Sequence, residues 1–418
     1  MRSVSRVLLL RALREIRDGR LELRMPGGGV HVFGEDDSDL RAIIEVRDER
    51  MFSRGVFGGD IGLGEAFVEG LWTSPDLVAL VRLAVRNLEI FDAGARLSAT
   101  LSRWVERLRH ALRRNSIEGS RHNIRYHYDL GTDFYSLFLD PTLTYSCALF
   151  ERPDATLAEA QIAKCDAICR RLELAPGDRL LEIGTGWGSF AIHAATRYGA
   201  RVTTTTISRA QYDHVRDRLA REGLSGSIEL LQEDYRRLSG RYDKAVSIEM
   251  FEAVGLPYYD RFFSAVDRLL KPGGAMLLQT ITMNEGRFPQ YRRQSDFIRR
   301  YVFPGGELAS VAEIRKSLRR ATGLVMSGVD EIGPHYVRTL AAWRERFLAN
   351  ADRVRALGFP ESFLRTWDYY LAYCQGGFTE AYVGDAQLLL TKAGVRSPNS
   401  NLSADLEFGD LTPKRART

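Results

Sequence analysis

The chain has 418 residues, of which 44% are hydrophobic and 27% charged, and its net charge is +5. These values favour a folded protein of two domains and exclude a disordered chain of low hydrophobicity. Its four cysteines form no CxxC pair or disulfide framework, so we expect a reducing cytosol. The basic amino-terminal run is shorter than a signal-peptide core, and no stretch reaches the ~20 apolar residues of a membrane span.

Residues 1–100 predict a small α/β domain. Pro26–Gly29 is typical of a hairpin turn, and Ser74 is expected to cap a helix that has Pro75 in its first position. The predicted elements are a helix over Val7–Arg17, strands over Leu21–Arg24, Val30–Phe33 and Leu40–Val46, a loop over Gly58–Gly64, and a helix over Ser74–Ala93.

Residues 101–125 form a basic segment with seven arginines and two acids. Trp104, Leu108 and Leu112 recur at helical spacing, which predicts an amphipathic linker helix. Such a helix can lie on an anionic membrane surface through its basic face. A solvated linker helix packed on the next domain explains the same pattern, so both interpretations stay open.

From about residue 155, predicted strands and helices alternate. The strands cover Arg179–Ile183, Arg201–Thr206, Ile228–Leu231, Lys244–Ile248 and Ala275–Thr280, with helices over Leu157–Leu174, Phe190–Tyr198, Arg209–Glu222 and Tyr258–Leu270. This alternation predicts an α/β fold, a mostly parallel sheet with helices on both faces. The chain then turns mainly helical, over Glu307–Arg320, Tyr336–Arg353 and Pro360–Glu380, and residues 396–418 form a loose polar tail.

The glycine-rich segment after the strand Arg179–Ile183 predicts a cofactor site. Glu182 precedes a GxGxG turn whose residues are Gly184, Thr185, Gly186, Trp187 and Gly188. Glycines in a strand-to-helix turn let backbone N–H groups approach a ligand closely, and a dinucleotide would require GxGxxG instead. The pattern resembles that of S-adenosylmethionine-dependent methyltransferases, in which the acid positions the methionine amino group. It implies a Rossmann-like class I methyltransferase fold.

Two further segments are candidates for contacts with this cofactor. The second strand ends in hydroxyl residues, including Thr206 and Ser208, rather than in an acid. After the third strand, Asp234 and Tyr235 suit the edge and face of an adenine. The alternative for this last pair is a helix N-cap within a loop.

Several motifs in register resemble one family. They are Tyr126–Asp140, Leu143–Ala148, Glu182–Ser189, Thr206–Gln211, Met250–Gly255, Tyr301–Gly306 and Tyr369–Cys374. Together they look like the cyclopropane-fatty-acyl-phospholipid synthases and mycolic acid cyclopropane synthases, with a catalytic domain over residues 126–395. The first hundred residues resemble the small amino-terminal domain of the phospholipid-acting members, which leaves lipid association or a homodimer as its role.

The resemblance implies one-carbon transfer from S-adenosylmethionine to a double bond in a phospholipid acyl chain. An alkene is a weak nucleophile, so the site must align it with the sulfonium methyl group. The carbocation that forms must be shielded from water, and a base must then remove a proton to close a cyclopropane ring. By the same resemblance Tyr145, Ser146 and Gln211 border the cofactor.

A bicarbonate ion is the base that the resemblance implies. Its ligands in the family correspond to Cys147, Glu252, Gln279, Tyr336 and the backbone of Ile281. The sequence departs from the family at Gln279, which replaces a histidine, at Ala253, and at Glu249, an extra acid where many members have glycine. Glutamine can hydrogen-bond an anion but cannot carry a proton, so a methylene- or methyl-branched product stays an alternative to the ring.

Other assignments stay open on the sequence alone. Cys374 fits a core role as well as a catalytic one. A small-molecule methyltransferase of the same fold is the nearest rival function, and no motif supports nucleic-acid binding. No metal site is expected. We expect a cytoplasmic enzyme that associates peripherally with the inner face of the membrane.

Overall fold

The computed structural model describes residues 2–90 and 130–392 of the chain. The basic segment 101–125 and the tail 396–418 lie outside the described residues, as does the start of the Tyr126–Asp140 motif. Within the described residues the chain forms two sheets, one of four strands and one of seven.

The amino-terminal residues form the four-stranded sheet, in the order β2-β1-β3-β4. Its elements are α1 (Arg2–Leu13), β1 (Arg20–Arg24), β2 (Val30–Gly34), β3 (Arg41–Val46), α2 (Arg50–Val68), β4 (Trp72–Thr73) and α3 (Leu77–Arg86). Strand β1 pairs antiparallel with β2 and parallel with β3. Alternate side chains of β3 are buried, so one face of the sheet packs in the core of this module.

Two predictions for this module are wrong. Gly58–Gly64 is not a loop but part of α2, which kinks at Gly59, where φ is 59°. These glycines permit close packing, because a Cβ on Gly64 would lie 2.4 Å from the ring of Phe297. Ser74 is not the N-cap of α3; Asp76 is, and its side chain accepts a hydrogen bond from the Ala79 N–H at 2.9 Å.

The seven-stranded sheet has the order β10-β11-β9-β8-β5-β6-β7. Its strands are β5 (Arg179–Ile183), β6 (Arg201–Thr205), β7 (Ile228–Leu231), β8 (Tyr242–Ile248), β9 (Leu270–Met283), β10 (Leu324–Glu331) and β11 (Val383–Lys392). Its helices are α4 (Gly131–Tyr135), α5 (Leu157–Arg171), α6 (Ser189–Tyr198), α7 (Arg209–Arg221), α8 (Tyr259–Leu269), α9 (Phe288–Tyr291), α10 (Phe297–Tyr301), α11 (Val311–Ala321), α12 (Gly333–Ala349), α13 (Ala351–Ala356) and α14 (Glu361–Thr379).

Strand β5 lies at the centre of this sheet and pairs in parallel with both β6 and β8. Its residues Leu180–Ile183 are buried, as expected for a strand covered by helices on both faces. The chain proceeds from β5 outward to β6 and β7, and then crosses to β8 on the other side. In α/β sheets, ligands bind beyond the carboxyl ends of the strands where the order reverses in this way.

The last two strands, β10 and β11, were not predicted. Strand β11 pairs antiparallel with β9, opposing Asp385 to Ile281 and Gln387 to Gln279. Strand β10 is an edge strand, exposed along most of its length, so its sequence lacks a long apolar run. The region after β9 is therefore mixed rather than mainly helical.

The amino-terminal module packs directly on helix α14 of the larger unit. Arg82 and Arg86 both hydrogen-bond the Glu380 carboxylate, at 2.6 and 2.9 Å. Arg365 donates to two backbone carbonyls of the module, those of Phe67 and Trp72. The rings of Phe297 and Tyr369 enter the module's hydrophobic cluster, so the two units share one apolar interface.

Candidate active site

The glycine turn follows β5 at the carboxyl edge of the sheet. Gly184, Gly186 and Gly188 have φ values of 104°, 52° and 88°, a conformation in which other residues are strained. A Cβ on Gly184 would also lie 3.0 Å from the Cβ of Met250. Thr185 anchors the turn through a 2.7 Å hydrogen bond between its hydroxyl and that of Thr204. The turn thus presents bare backbone to the adjoining cavity.

Glu182 is buried at the end of β5, with its side chain facing the same cavity. Its Oε2 accepts a 2.5 Å hydrogen bond from the Thr204 hydroxyl. Burial raises the pKa of Glu182 to about 8, although the Thr204 hydrogen bond and the charge of Lys164 oppose the shift. A cationic ligand, such as an ammonium group, would stabilise the ionised form of this buried carboxylate.

The next two strands end in the residues predicted to border the cofactor. The Thr206 hydroxyl donates to Gln211 at 2.8 Å, and Ser208 caps helix α7. Asp234 caps a 3₁₀ turn over Tyr235–Arg237 and forms a buried fork with Arg236, at 2.6 and 2.7 Å. The N-cap alternative for Asp234 is therefore correct, although Asp234 and Tyr235 also line the cavity.

Tyr145 and Ser146 lie on the opposite wall of the cavity. The Tyr145 and Tyr370 hydroxyls share a 2.8 Å hydrogen bond, and the Ser146 hydroxyl accepts one of 2.6 Å from the buried Lys164 ammonium. Trp187 from the glycine turn is buried, with its ring 5.7 Å from that of Tyr135. The role of Lys164 was not predicted, because a single lysine in an amphipathic helix carries no sequence signal.

Glu249 directly follows β8, and its carboxylate accepts hydrogen bonds from three other residues. Its Oε1 accepts hydrogen bonds from the Cys147 backbone N–H and from the Gln279 amide, both at 2.8 Å. Its Oε2 accepts one of 2.6 Å from the Tyr336 hydroxyl. Its backbone has a φ of 47°, unusual for a residue with a side chain. Three residues distant in sequence thus converge on one carboxylate.

Glu252 follows in a short 3₁₀ turn, and its carboxylate enters the same cavity. Its Oε1 accepts hydrogen bonds from the Ile281 backbone N–H at 2.6 Å and the Thr280 hydroxyl at 2.8 Å. Oε2 is buried and has no hydrogen-bond partner among the described residues. Burial, and then the charge of Glu249, raise the pKa of Glu252 to about 7.

Asp385 is a third buried acid, which the sequence did not reveal. It lies on β11, and its Oδ2 accepts a 3.1 Å hydrogen bond from the Gln279 amide. Burial and the nearby charge of Glu249 hold the pKa of Asp385 well above its usual range. In the sequence, Asp385 is notable only as an acid within the mostly apolar run Val383–Leu390. The pairing of β11 with β9 is what places it beside Gln279.

The two candidate cysteines differ in their surroundings. Cys147 is fully buried, and its thiol lies 3.4 and 3.6 Å from the carbonyl oxygens of Ala148 and Ile332. Burial and the nearby carboxyl groups raise its pKa well above the ordinary value, so the side chain is a neutral thiol. Cys374 lies on α14 and lines the cavity, and burial raises its pKa as well. Among the described residues, Cys374 forms no hydrogen bond with Glu249, Glu252 or Asp385.

One cavity of about 1700 Å³ is lined by the glycine turn and by Glu182, Glu249, Glu252, Tyr336 and Cys374, whereas Cys147, Gln279 and Asp385 are not among its lining residues. It begins at the glycine turn, passes Glu249 and Glu252, and continues between the aromatic residues of α14 into the amino-terminal module. Its apolar walls include Phe303, Tyr370 and Phe378 near the acids, and Leu13, Leu80 and Leu88 at the far end. This volume exceeds the ~300–1,000 Å³ of an ordinary small-molecule site, so it has room for two ligands.

Comparisons with known proteins give one consistent result. The family described as "Mycolic acid cyclopropane synthetase" matches residues 115–388. The chain is 37% identical to the tuberculostearic acid methyltransferase UfaA1 of Mycobacterium tuberculosis, over 80% of each chain. It is also 37% identical to the cyclopropane-fatty-acyl-phospholipid synthase of Escherichia coli K12, over 84% of this chain and 87% of that one.

A solved structure agrees with these sequence matches. The crystal structure of the mycolic acid cyclopropane synthase CmaA1, complexed with SAH and CTAB, superposes with a TM-score of 0.61 at 36% identity. The match covers 65% of this chain and 98% of that one. Among residues 2–90 and 130–392, no helix is long and apolar enough to cross a membrane.

Proposed function

Since the chain belongs to the mycolic acid cyclopropane synthetase family, as its motifs predict, we propose that it modifies unsaturated phospholipid acyl chains. It transfers a one-carbon unit from S-adenosylmethionine to the double bond, through a carbocation, and a cyclopropane ring is the expected product. The observation that carries this proposal is the continuous cavity, which joins the glycine turn to the buried acids and to an apolar end in the amino-terminal module.

The residues at the glycine turn fit S-adenosylmethionine. Gly184, Gly186 and Gly188 leave room for close backbone contact, and the Glu182 carboxylate suits the cofactor's ammonium group. When bound, the cofactor supplies a methyl group on a positively charged sulfur. Around it, Thr206, Asp234 and Tyr235 complete the wall of the cavity, and Ser208 caps the adjoining helix α7.

The other half of the cavity fits the stabilisation of a carbocation. Glu249 and Glu252 can supply negative charge, and the aromatic rings of Tyr145, Tyr336 and Tyr370 line the same part of the cavity. Cations are attracted to the faces of such rings, and the attraction increases as water is excluded. Thr280 and the Ile281 N–H hold the Glu252 carboxylate in place.

A methylene- or methyl-branched acyl chain is the second candidate product. Gln279, in place of the family's histidine, favours it, since the base that closes the ring is altered here. The relative UfaA1 is also described as a methyltransferase rather than as a ring-forming synthase.

We also propose that the enzyme works at the cytoplasmic face of the membrane. The arginine-rich segment 101–125 supports this proposal, as do the exposed Val7 and Phe57 of the amino-terminal module. Binding to anionic vesicles that weakens as salt rises is the expected behaviour.

Mass spectrometry of acyl chains tests the function directly. Vesicles of a monounsaturated phospholipid are incubated with the enzyme and methyl-labelled S-adenosylmethionine, and vesicles of the saturated lipid serve as the control. We expect a mass gain of one CH₂ on unsaturated chains alone, and fragmentation distinguishes ring, methylene and methyl products. Label found only on added soluble amines or alcohols would instead establish a small-molecule methyltransferase.

A further inference from the structure

We propose that the carboxylate of Glu249 replaces bicarbonate as the proton acceptor in this enzyme. The inference rests on the proposed function and concerns the groups that remove a proton from the transferred methyl group. It identifies the base as part of the chain itself rather than a bound ion.

The groups expected to hold bicarbonate do not fit that ion here. The backbone N–H of Cys147, the Gln279 amide and the Tyr336 hydroxyl all donate to Glu249. The remaining donor, the Ile281 N–H, bonds Glu252 at 2.6 Å. Each expected hydrogen-bond donor to the ion therefore already bonds a carboxylate of the chain.

The electrostatics of the pocket also disfavour an added anion. Three acids, Glu249, Glu252 and Asp385, lie together in a buried environment. Their mutual repulsion contributes to the raised pKa values of Glu252 and Asp385. A second anion beside Glu249 would add to this repulsion.

The backbone explains how a side chain comes to occupy this place. Glu249 directly follows β8 with a φ of 47°, and its N–H donates to the Gln279 carbonyl at 2.9 Å. A glycine would adopt this φ without strain and would leave the three donors open to an ion. The non-glycine conformation is strained and persists where the surroundings enforce it, here through three hydrogen bonds to the side chain.

Asp385 completes the arrangement. Burial and the charge of Glu249 raise the pKa of Asp385 well above its usual range, which favours the protonated carboxyl, and its Oδ1 receives no hydrogen bond from a described residue. The neutral Gln279 amide donates to both acids, so it orients them without adding positive charge. A protonated Asp385 adds no negative charge beside Glu249.

The proposed step balances in atoms and charge. One alkene carbon takes the methyl group as the methyl–sulfur bond breaks, its electrons remaining on sulfur, and the other alkene carbon becomes cationic. Glu249 accepts a proton from the new methyl group, and the C–H electron pair forms the third bond of the ring. The products are the cyclopropane, S-adenosylhomocysteine and a proton that passes to solvent. After a hydride shift, the same proton removal gives a methylene branch instead.

Two substitutions at Glu249 separate the base from a merely structural group. Glu249→Gln keeps the volume but cannot accept the proton, so turnover should fall at least ~100-fold and stay low in added bicarbonate. Glu249→Gly opens the pocket, so its similar loss should be rescued at least ~10-fold by bicarbonate. Turnover of the wild type should not differ between CO₂-depleted buffer and 20 mM bicarbonate, roughly a saturating concentration for mM binding.

A binding measurement on the cofactor-free protein gives a readout independent of turnover. We expect the ¹³C NMR signal of bicarbonate to broaden when the Glu249→Gly variant is added. The signal should stay sharp with the wild type. Glu173→Gly is the matched control, since Glu173 also has a positive φ, of 50°, but is exposed and distant from the cavity. It should behave as the wild type.

The outcomes are distinguishable from failure of the proposed function. A wild type that binds bicarbonate, or needs it for turnover, overturns the inference, as does full activity of Glu249→Gln. A wild type that neither binds bicarbonate nor modifies lipid overturns the proposed function, and with it the role of Glu249 as base. In that case the NMR result still establishes that the Glu249 side chain occupies the place of the anion.

Discussion

The two halves of the cavity are built in different ways. The cofactor half comes mainly from the segments that directly follow β5, β6 and β7, where each residue is placed by the strand that precedes it, and Tyr145 and Ser146 add to its wall. The acid half brings together Cys147, Glu249, Gln279, Tyr336 and Asp385, which are separated by up to 238 residues. The first half is a local property of the chain, whereas the second exists only in the complete fold.

The halves also differ in how charge is handled. Burial dominates the shift in the pKa of Glu182, which is proposed to bind the cationic end of the cofactor. Glu252 and Asp385 are shifted by burial and by the charge of Glu249, so their protonation states depend on one another. A substitution in the cofactor half should therefore change binding, whereas one in the acid half should change turnover.

Glu252→Gln should have the largest effect. It removes a negative charge beside the carbocation while keeping the shape of the side chain. We expect turnover to fall ~10²–10⁴-fold, with the dissociation constant of S-adenosylmethionine unchanged within about twofold. Single-turnover kinetics and calorimetry measure the two quantities. Wild-type turnover would remove Glu252 from the reaction, and a large loss of cofactor affinity would contradict the division between the halves.

Gly184→Ala should act on the other half, with a smaller effect. The new Cβ would lie 3.0 Å from the Cβ of Met250, at a φ of 104°. We expect cofactor affinity to fall ~10–100-fold, with a stability cost of about 1–3 kcal/mol. Turnover at saturating cofactor should stay near that of the wild type. The exposed Gly223→Ala, at a φ of 68° with no atom within 4 Å of the new Cβ, controls for strain alone.

The same division explains what the sequence could predict. The GxGxG turn, Glu182 and the strands β5 to β8 follow from local patterns, and the structure has them within about two residues of their predicted ends. The family motifs named Cys147, Glu252, Gln279 and Tyr336 as candidates, although their roles stay predictions.

The remainder depends on tertiary contacts. Asp385 was missed because β11 carries no turn or motif that identifies it, and its register against β9 is set by the whole sheet. The convergence of three donors on Glu249 was likewise not predictable, because hydrogen bonds across 30 to 102 residues leave no periodic pattern. The prediction of a loop over Gly58–Gly64 failed because glycine there serves close packing inside α2, at Gly64 against Phe297, rather than a turn.

The pH dependence of cofactor binding should give the smallest effect and the finest test of the cofactor half. The pKa of Glu182 is raised to about 8, so the cofactor-free protein holds this acid protonated at pH 6–7. Binding of the cofactor's ammonium group requires the carboxylate, so binding should release up to one proton. Affinity should then rise at most ~10-fold per pH unit until the pH reaches the pKa.

Calorimetry in buffers of different ionisation enthalpy measures the released proton, and Glu182→Gln should bind the cofactor weakly without releasing one. A wild type that releases no proton between pH 6 and 7 would mean that Glu182 is already ionised, and that the charge of Lys164 rather than burial determines its state.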